Sequence, residues 1–302
     1  MSNRNFRELL QTKWDQGRFV CVGLDSELSK IPEAAQHHND RMNTVFTFNT
    51  QIVATTHEVV GAYKLTSAFY EALGEAGWAA LRQTINLIKH SVPGMPIILD
   101  AKRADIDNTN KGYVEMAFEY LGVDAITVHP YMGQKSLQPF LDRADKGIFV
   151  LCRTSNPGAG EFQDLVITPS WDDEMNWGLP SRSRGESEPT RMPLFQYLAY
   201  RVSRDWNEKG NCGLVVGATA PKELAKVREI VGDMPILIPG IGAQGGDLEA
   251  TLKAGVDANG RGVIINSSRG IIFASSGADF AEAAGRETEK LHHAVTDILK
   301  SK

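Results

Sequence analysis

Eight short runs of mainly apolar, often β-branched residues recur along the chain, each bounded by turn residues. They lie at 19–25, 61–66, 96–102, 125–131, 147–154, 212–219, 235–241 and 262–268. Stretches such as 43–60 and 78–90 lie between them, with apolar residues at the three- and four-residue spacing of amphipathic helices. Apolar strands that alternate with such helices predict a parallel sheet covered by helices. Eight strand–helix units predict a closed (β/α)8 barrel, the TIM barrel of the α/β class.

The main alternative is an open, doubly wound sheet, which usually carries a GxGxxG turn after its first strand. The residues "GLDSEL" at 23–28 form no such turn, so the barrel is the favoured fold. A chain of 302 residues with 42% hydrophobic content has the length and composition to bury one large core. We therefore expect residues 1–302 to form a single barrel domain.

One interval breaks the rhythm of strands and helices. Residues 171–190 form a polar stretch rich in Pro, Gly, Ser and both charges, between the fifth and sixth predicted strands. We expect a long polar insertion at about 160–193, after the fifth strand. Loops of this length are usually functional or mobile. The simpler interpretation is a solvated surface insertion. The alternative is an active-site lid, because the loop starts at the carboxyl end of a strand, where barrels of this kind carry their active sites.

Charge and cysteine content limit which binding partners and which cellular compartment are expected. The net charge of −5 and the pI near 5.8 indicate neither nucleic acid nor an anionic membrane as a partner. No apolar run approaches the ~18 residues of a membrane span, and the N-terminus lacks the apolar segment of a signal peptide. Cys21, Cys152 and Cys212 lie in strand-like runs without a CxxC pair, which predicts reduced, buried thiols. We expect a cytoplasmic protein that does not use these thiols in catalysis.

Polar residues at the carboxyl ends of the predicted strands are the candidate site, because these ends build the active sites of such barrels. Asp25 and Lys64 lie near the ends of the first two strands, and Asp100 and Lys102 end the third. The two-residue pleat places Asp100 and Lys102 on one face, and Lys64 comes from the neighbouring strand. Such a row can be a purely structural ion-pair network. A barrel mouth is open to a ligand, which favours a functional role.

Two glycine-containing loops near the C-terminus predict a phosphate site. Residues 238–247 and 266–271 follow the seventh and eighth strands and combine glycines, small hydroxyl side chains and Arg269. Loops after these strands form the usual phosphate site of this fold, with backbone N–H groups at the start of the next helix. A plain glycine-rich turn is the alternative for the first loop, since short glycine motifs are weak signals. The presence of both loops favours phosphate.

The segment "LDAKRADI" at 99–106 resembles the Asp-x-Lys-x-x-Asp-Ile motif of orotidine 5′-monophosphate decarboxylases. The other matches follow the barrel order: "VGLD" with Asp25, "AYKL" with Lys64, "TSNPG" at 154–158, "PGIGAQGGD" at 239–247, and Arg269. The resemblance spans about residues 19–273 and points to the longer, bacterial-type branch. It implies a barrel enzyme that converts orotidine 5′-monophosphate to uridine 5′-monophosphate (UMP) and CO2, with no cofactor and no metal.

The resemblance implies a role for each member of the charged row. Lys102 is the proton donor to C6 of the pyrimidine, and Asp100 faces the substrate carboxylate. Lys64 keeps the row in place and reaches the ribose, while Asp25 binds a ribose hydroxyl. Loss of CO2 leaves negative charge on C6, where no adjacent carbonyl delocalises it well. An ammonium aimed at that carbon stabilises the charge and then donates its proton.

The resemblance also assigns residues to the base, the phosphate and a second subunit. Ser155 contacts the base, Gln244 bridges base and phosphate, and Arg269 with the backbone of Ser268 holds the phosphate. Family members are dimers with composite sites, so this chain is expected to form a homodimer. The residues that lie beyond the third strand and then serve the partner subunit's site are Asp105, Ile106 and Thr109.

Two other functions stay open. A Mg²⁺-dependent sugar-phosphate decarboxylase or aldolase of the same superfamily shares the strand-three pattern but needs a carboxylate on strand two, where this chain has Lys64. Glu71, a few residues later, keeps that alternative open. A non-catalytic barrel that only binds a phosphorylated ligand needs the phosphate loops but not the charged row. His129, at the tip of the fourth strand, is required by no step, and we expect it to pack or to support other residues.

Overall fold

An eight-stranded parallel barrel forms the centre of the computed structural model, which describes residues 4–178, 190–241 and 246–301. Its strands are β1 (Val20–Gly23), β2 (Ala62–Thr66), β3 (Ile97–Arg103), β4 (Ala125–Val128), β5 (Gly147–Arg153), β6 (Cys212–Val216), β7 (Ile236–Pro239) and β8 (Val263–Ser267). Each strand pairs with the next one along the chain, and β8 pairs with β1 to close the barrel. The strands coincide with the predicted runs to within a few residues, so the predicted (β/α)8 fold is confirmed.

Helices surround the barrel. They are α1 (Phe6–Asp15), α2 (Arg41–Thr56), α3 (Ser67–Glu71), α4 (Glu75–Ser91), α5 (Asp107–Val114), α6 (Gly133–Leu141), α7 (Gly160–Gln163), α8 (Trp171–Trp177), α9 (Leu194–Tyr200), α10 (Pro221–Val231), α11 (Leu248–Gly255), α12 (Arg269–Ile272) and α13 (Phe280–Lys300). The π-helical turns Glu115–Tyr120 and Arg201–Trp206 continue α5 and α9, and 3₁₀ turns span Leu28–Lys30 and Glu33–Ala35. Within the described ranges, no helix has the length and apolar character needed to cross a membrane.

Burial on both faces explains why the strand runs are continuously apolar. Every residue of β1 and of β6 is buried, as expected when side chains fill the barrel on one face and helices cover the other. On the outside, α13 packs against α2, where Phe280 stacks on Phe48 with ring centroids 5.3 Å apart. Gly285 allows this approach, because a Cβ there would lie 3.1 Å from the carbonyl oxygen of Thr55.

The amino-terminal end of the barrel is closed by α1 and by a buried arginine. Trp14 of α1 donates its indole N–H to the Val263 carbonyl at 2.9 Å, and Phe6 packs edge-on against Phe149. Arg228 of α10 is 8% exposed. Its guanidinium donates at 2.6–2.8 Å to the backbone carbonyls of Gly232, Met234, Gly255 and Gly262. These contacts fix the end of the barrel opposite to the candidate site.

The segment between β5 and α9 contains the structured part of the predicted insertion. It holds α7, α8 and a short antiparallel pair, Val166–Ile167 with Met192–Pro193. Trp177 of α8 stacks on Tyr200 of α9 with ring centroids 5.4 Å apart, which anchors the segment to the barrel's own helices. Residues 179–189 lie outside the described part, so the choice between surface insertion and lid stays a prediction, as does the single domain.

Candidate active site

A cavity of about 510 Å³ opens at the carboxyl ends of the barrel strands. This volume lies within the range of small-molecule sites, about 300–1,000 Å³. The cavity brings together seven of the residues predicted from the sequence: Asp25, Lys64, Asp100, Lys102, Ser155, Ser268 and Arg269. The charged row lines the side formed by β1 to β3, and the loop after β8 lines another side.

Four charged side chains alternate along one wall of the cavity. The Lys64 ammonium lies 3.2 Å from Asp25 Oδ1 and 3.3 Å from Asp100 Oδ2. Lys102 Nζ lies 2.7 Å from the other oxygen of Asp100. The side chain of Lys64 is 4% exposed, whereas that of Lys102 is 50% exposed. The row therefore runs from a buried cation to one that a ligand can reach.

The backbone of β3 is irregular where it carries these charges. Its register with β4 shifts between Leu99 and Arg103, and Lys102 has a φ of 48°, in the left-handed region that non-glycine residues rarely adopt. The Lys102 N–H donates to Thr127 Oγ1 at 2.9 Å, and this hydroxyl donates to Asp100 Oδ1 at 2.8 Å. Asp100 and Lys102 do share the cavity. However, a bulge held by Thr127 places them there, whereas the sequence pattern predicts a regular pleat.

The row sets the charge states of its buried members. Burial opposes ionisation of Asp100, but the ammonium groups of Lys64 and Lys102 outweigh it and hold the pKa of this carboxyl far below its usual range. Burial also opposes ionisation of Asp25, and the charge of Lys64 with hydroxyl hydrogen bonds lowers its pKa. Burial by itself would lower the pKa of Lys64, but the two carboxylates raise it above its ordinary value. At neutral pH, Asp25 and Asp100 are ionised and Lys64 is protonated.

Two threonines and an asparagine contribute polar groups that the sequence pattern does not predict. Thr66 Oγ1 accepts a hydrogen bond from Lys64 Nζ at 2.7 Å, and Thr127 bridges the bulge as described. Asn266 of β8 lines the cavity and is 6% exposed. Its Oδ1 has no hydrogen-bond partner within the described residues. The threonines are β-branched residues in strands, so their sequence context gives them only a packing role.

The loop after β8, which the sequence predicts to bind phosphate, lines the cavity. Ser268 donates its hydroxyl to the Gly23 carbonyl at 2.9 Å, and Arg269 begins α12 at the cavity edge. A Cβ at Gly23 would lie 2.8 Å from Ser268 Cβ, so glycine is needed where β1 meets this loop. Gln244, predicted to bridge base and phosphate, lies outside the described residues together with the rest of 242–245.

Ser155 lies in the cavity lining after β5, packed closely against β6. A Cβ at Gly217 would lie 2.5 Å from Ser155 Cβ, so glycine permits this approach. The preceding residue is held by α7: the Thr154 N–H donates to Gln163 Oε1 at 2.9 Å, and Gln163 Nε2 donates to Thr154 Oγ1 at 2.9 Å. Gln163 also lines the cavity. The start of the insertion thus contributes to the site, although its polar composition gave no sign of this.

Asp105, Ile106 and Thr109 do not line the cavity of their own chain. Asp105 Oδ1 accepts the Ile106 N–H at 2.6 Å, and the Asp105 N–H donates to Asn110 Oδ1 at 2.9 Å. The Ile106 side chain is 60% exposed, and Thr109 is exposed on α5. Ile106 and Thr109 therefore face solvent in the single chain, and Asp105 is half-buried.

Glu71 pairs with an arginine. Its carboxylate forms an ion pair with the guanidinium of Arg103, the residue after Lys102. Within the described ranges, no cluster of three or more His, Cys, Asp or Glu side chains suits a metal ion. His129 lies outside the cavity lining, and its backbone N–H donates to the Arg103 carbonyl at 3.1 Å.

Comparison with known proteins gives consistent matches. A model of the orotidine 5′-phosphate decarboxylase / HUMPS family matches residues 18–175. The orotidine 5′-phosphate decarboxylase of Herpetosiphon aurantiacus is 46% identical over 265 residues, covering 88% of this chain and 88% of that protein. The structure of Leishmania donovani OMP decarboxylase matches with a TM-score of 0.74 and 36% identity, over 96% of this chain and 99% of that chain. The UMP synthase of the same organism matches with a TM-score of 0.76 and 38% identity over 96% of this chain, which spans 57% of that longer protein.

Proposed function

This chain belongs to the orotidine 5′-phosphate decarboxylase family, and we propose that its cavity converts orotidine 5′-monophosphate to UMP and CO2 without a cofactor. The observation that carries the proposal is the row of Lys64, Asp100 and Lys102, with contacts of 2.7–3.3 Å at the cavity wall. A carboxylated ring fits against this row, and a phosphate fits against Arg269 in the same cavity.

Lys102 is the proton donor. The bond between C6 and the carboxylate breaks, its electron pair stays on C6, CO2 leaves, and Lys102 Nζ transfers a proton to C6. The ammonium is half exposed and is held 2.7 Å from Asp100, so its position is fixed before the substrate binds. A preoriented cation beside the carbon where charge develops stabilises the transition state without reorganisation. Solvent restores the proton to Lys102 after the reaction.

Asp100 repels the substrate carboxylate. Its pKa is held far below the usual range, so it stays ionised at neutral pH when a second carboxylate approaches. Two unit charges ~4 Å apart interact by about 4 kcal/mol at an effective dielectric constant of about 20. Enzymes typically lower barriers by about 8–23 kcal/mol. Repulsion is therefore one contribution, and binding of the remote phosphate supplies energy that presses the reacting ring against Asp100.

The remaining predicted residues bind the rest of the substrate in this proposal. Asp25 and Lys64, which lie side by side at the row's buried end, bind the ribose hydroxyls. Arg269 and the backbone N–H of Ser268 hold the phosphate at the start of α12. Ser155, in the cavity lining after β5, contacts the base.

We also propose a homodimer in which Asp105, Ile106 and Thr109 enter the partner subunit's site. Ile106 is 60% exposed and Tyr131 is 90% exposed, and they follow β3 and β4 at the site end of the barrel. We expect the partner subunit to cover these two apolar side chains in the dimer. Mixing the inactive variants Asp105→Ala and Lys102→Ala tests the proposal. Random subunit exchange should restore about a quarter of the wild-type activity, since half the dimers are hybrids with one intact site. A mixture that stays inactive after verified exchange contradicts a shared site.

The magnesium-dependent alternative lacks the carboxylate that it needs. Glu71 forms an ion pair with Arg103, and the cation of Lys64 occupies the strand-two position, 3.3 Å from Asp100. A second cation at this position would be repelled. We expect activity to persist in EDTA, and activity that requires added Mg²⁺ would support the alternative.

The cysteines take no part in this mechanism. Cys21, Cys152 and Cys212 are free and buried. Burial raises the pKa of Cys21 and of Cys212 to about 12, so reactive thiolates are scarce at neutral pH. Three unpaired thiols are typical of a reducing compartment, and we propose a cytoplasmic location.

The function is tested by incubating the protein with orotidine 5′-monophosphate and following the ultraviolet absorbance change that accompanies loss of the carboxylate. Lys102→Ala should abolish turnover while UMP still binds. Lys226→Ala, which changes an exposed lysine of α10, should keep wild-type turnover. A wild-type protein that binds the substrate but leaves it intact would instead support the non-catalytic, phosphate-binding barrel.

A further inference from the structure

Arg103 directly follows the proposed proton donor, and its groups hold the surrounding backbone together. Its Nη1 donates to the Ala101 carbonyl at 3.1 Å, and its Nη2 forms the ion pair with Glu71 at the end of α3. Its carbonyl accepts the His129 N–H from the start of the next loop. The guanidinium also lies over the ring of Tyr113 on α5, 5.4 Å from the centroid. Arg103 thus connects the ends of β3 and β4 with α3 and α5.

These contacts enclose the strained residue. Lys102 has a φ of 48°, and a left-handed conformation of this kind is unfavourable for a residue with a Cβ and persists only where the surroundings impose it. The peptide unit before Lys102 is held at both of its polar groups. Its carbonyl, that of Ala101, accepts from Arg103, and its N–H, that of Lys102, donates to Thr127. Fixing this peptide plane restricts the φ of Lys102, and so restricts where its ammonium points.

We propose that Arg103 and Glu71 form a clamp that positions Lys102 for proton transfer. This inference rests on the proposed function. Neither clamp residue lines the cavity, so both act through Lys102 as positioning residues. Their side chains are 24% and 33% exposed, which makes the ion pair half-buried and weakens its screening by water. Because Glu71 belongs to the helix that follows β2, the clamp also joins the two strands that carry the ammonium groups of the row.

The test compares Arg103→Gln and Glu71→Gln with a matched control, Arg143→Gln. Arg143 is 26% exposed, forms an ion pair with Glu119 at 2.7 Å and lies over the ring of Phe118 at 5.2 Å. It therefore resembles Arg103 in burial, in its ion pair and in its ring contact. However, the hydrogen bonds of its side chain go to Glu119 and Asp145 and not to the peptide unit before Lys102. Loss of either arginine should lower Tm by a similar amount.

Turnover should separate the clamp from the control. Displacing a reacting group by about 1 Å can cost about 100-fold in rate, and we expect kcat to fall at least about tenfold in Arg103→Gln and Glu71→Gln. KM should stay within about twofold, since neither side chain touches the substrate. The double variant, Arg103→Gln with Glu71→Gln, should be no slower than Arg103→Gln, because both changes remove the same ion pair. Arg103→Lys, which keeps a charge for Glu71 but lacks the fork that reaches Ala101, should recover kcat only in part.

A second measurement reports on the clamp without turnover. Amide hydrogen exchange in residues 100–103 should accelerate in Arg103→Gln and stay unchanged in Arg143→Gln. If Arg103→Gln lowers Tm while kcat and this exchange stay at wild-type values, its contacts are structural only and the inference is wrong. If Arg143→Gln lowers kcat as strongly, the effect is not specific to the clamp and the inference also fails. A wild-type protein with no decarboxylase activity refutes the proposed function, whereas an active wild type with unaffected clamp variants refutes the clamp alone.

Discussion

Replacing Lys64 with methionine should leave Asp25 and Asp100 buried together without the cation between them. Each carboxylate lies 3.2–3.3 Å from Lys64 Nζ, so each attraction amounts to about 5 kcal/mol at an effective dielectric constant of about 20. The desolvation of a buried ammonium opposes this gain by several kcal/mol. Removing one partner of a buried pair typically costs about 3–5 kcal/mol, and we expect a loss of this size in the free energy of unfolding at pH 7.

The pH dependence of stability provides a sharper signature of Lys64→Met. In the wild type, the pKa values of Asp25 and Asp100 are lowered, so their stabilisation is present above the unfolded-state pKa of about 3.9 and is lost as the pH falls through the lower folded value. Without Lys64, burial and the charge of Asp100 raise the pKa of Asp25 above the unfolded value, whereas Lys102 still lowers that of Asp100. The sign reverses for Asp25, and the variant should gain stability as the pH falls from 7 toward about 5.

Denaturant unfolding at pH 5 and pH 7 measures both effects. Adding Asp25→Asn to Lys64→Met removes one of the two repelling charges and should recover part of the lost stability at pH 7. Lys13→Met is the matched control, because Lys13 is also buried but burial lowers its pKa, so its removal should cost far less. The reasoning is wrong if Lys64→Met is as stable as the wild type at pH 7, or if it loses stability on acidification to pH 5.

Three further outcomes are expected. Arg269→Ala should lower kcat/KM. In the wild type, phosphite dianion should partly restore turnover of a phosphate-free nucleoside substrate. No response to phosphite contradicts the use of phosphate binding energy. The kcat should vary less than about twofold from pH 7 to pH 5, because the pKa values of Asp25 and Asp100 stay below their ordinary value of about 3.9. A fall in kcat on acidification within this range would count against ionised carboxylates. Arg228→Met should lower the free energy of unfolding by about 3 kcal/mol or more, since the carbonyls of Met234, Gly255 and Gly262 lose buried hydrogen bonds at about 1–3 kcal/mol each, while kcat of the folded protein stays unchanged. Wild-type stability in a denaturant titration rejects this account.

The barrel was predictable because its strands are buried on both faces. That environment requires continuous apolar runs, and those runs are visible in the sequence together with the helical spacing between them. The location of the charged row follows from the same topology, since the carboxyl ends of parallel strands meet at one rim. Asp25, Lys64 and Asp100 therefore had to lie near each other once the strands were placed.

The finer geometry of the site depends on contacts between residues far apart in the sequence, which no local pattern records. Counting along the pleat assigned Asp100 and Lys102 to one face, whereas a register shift and a left-handed residue bring them together. Thr127 supports that shift from the next strand, 25 positions after Lys102. The sequence leaves Glu71 open as a metal ligand, because its ion-pair partner, Arg103, lies 32 positions away.

The irregular end of β3 defines a unit for protein design. An aspartate and a lysine could be grafted at alternate positions of a regular strand in another eight-stranded barrel. The lysine side chain would then leave the backbone in a different direction, and its ammonium would not lie where that of Lys102 does. The transplant would need the register shift between 99 and 103, a hydroxyl at the position of Thr127 and a residue that donates a hydrogen bond to the Ala101 carbonyl. Scoring functions that reward local backbone preference would replace Lys102 by glycine at its φ of 48°, and would thereby delete the amine that the irregularity serves to present.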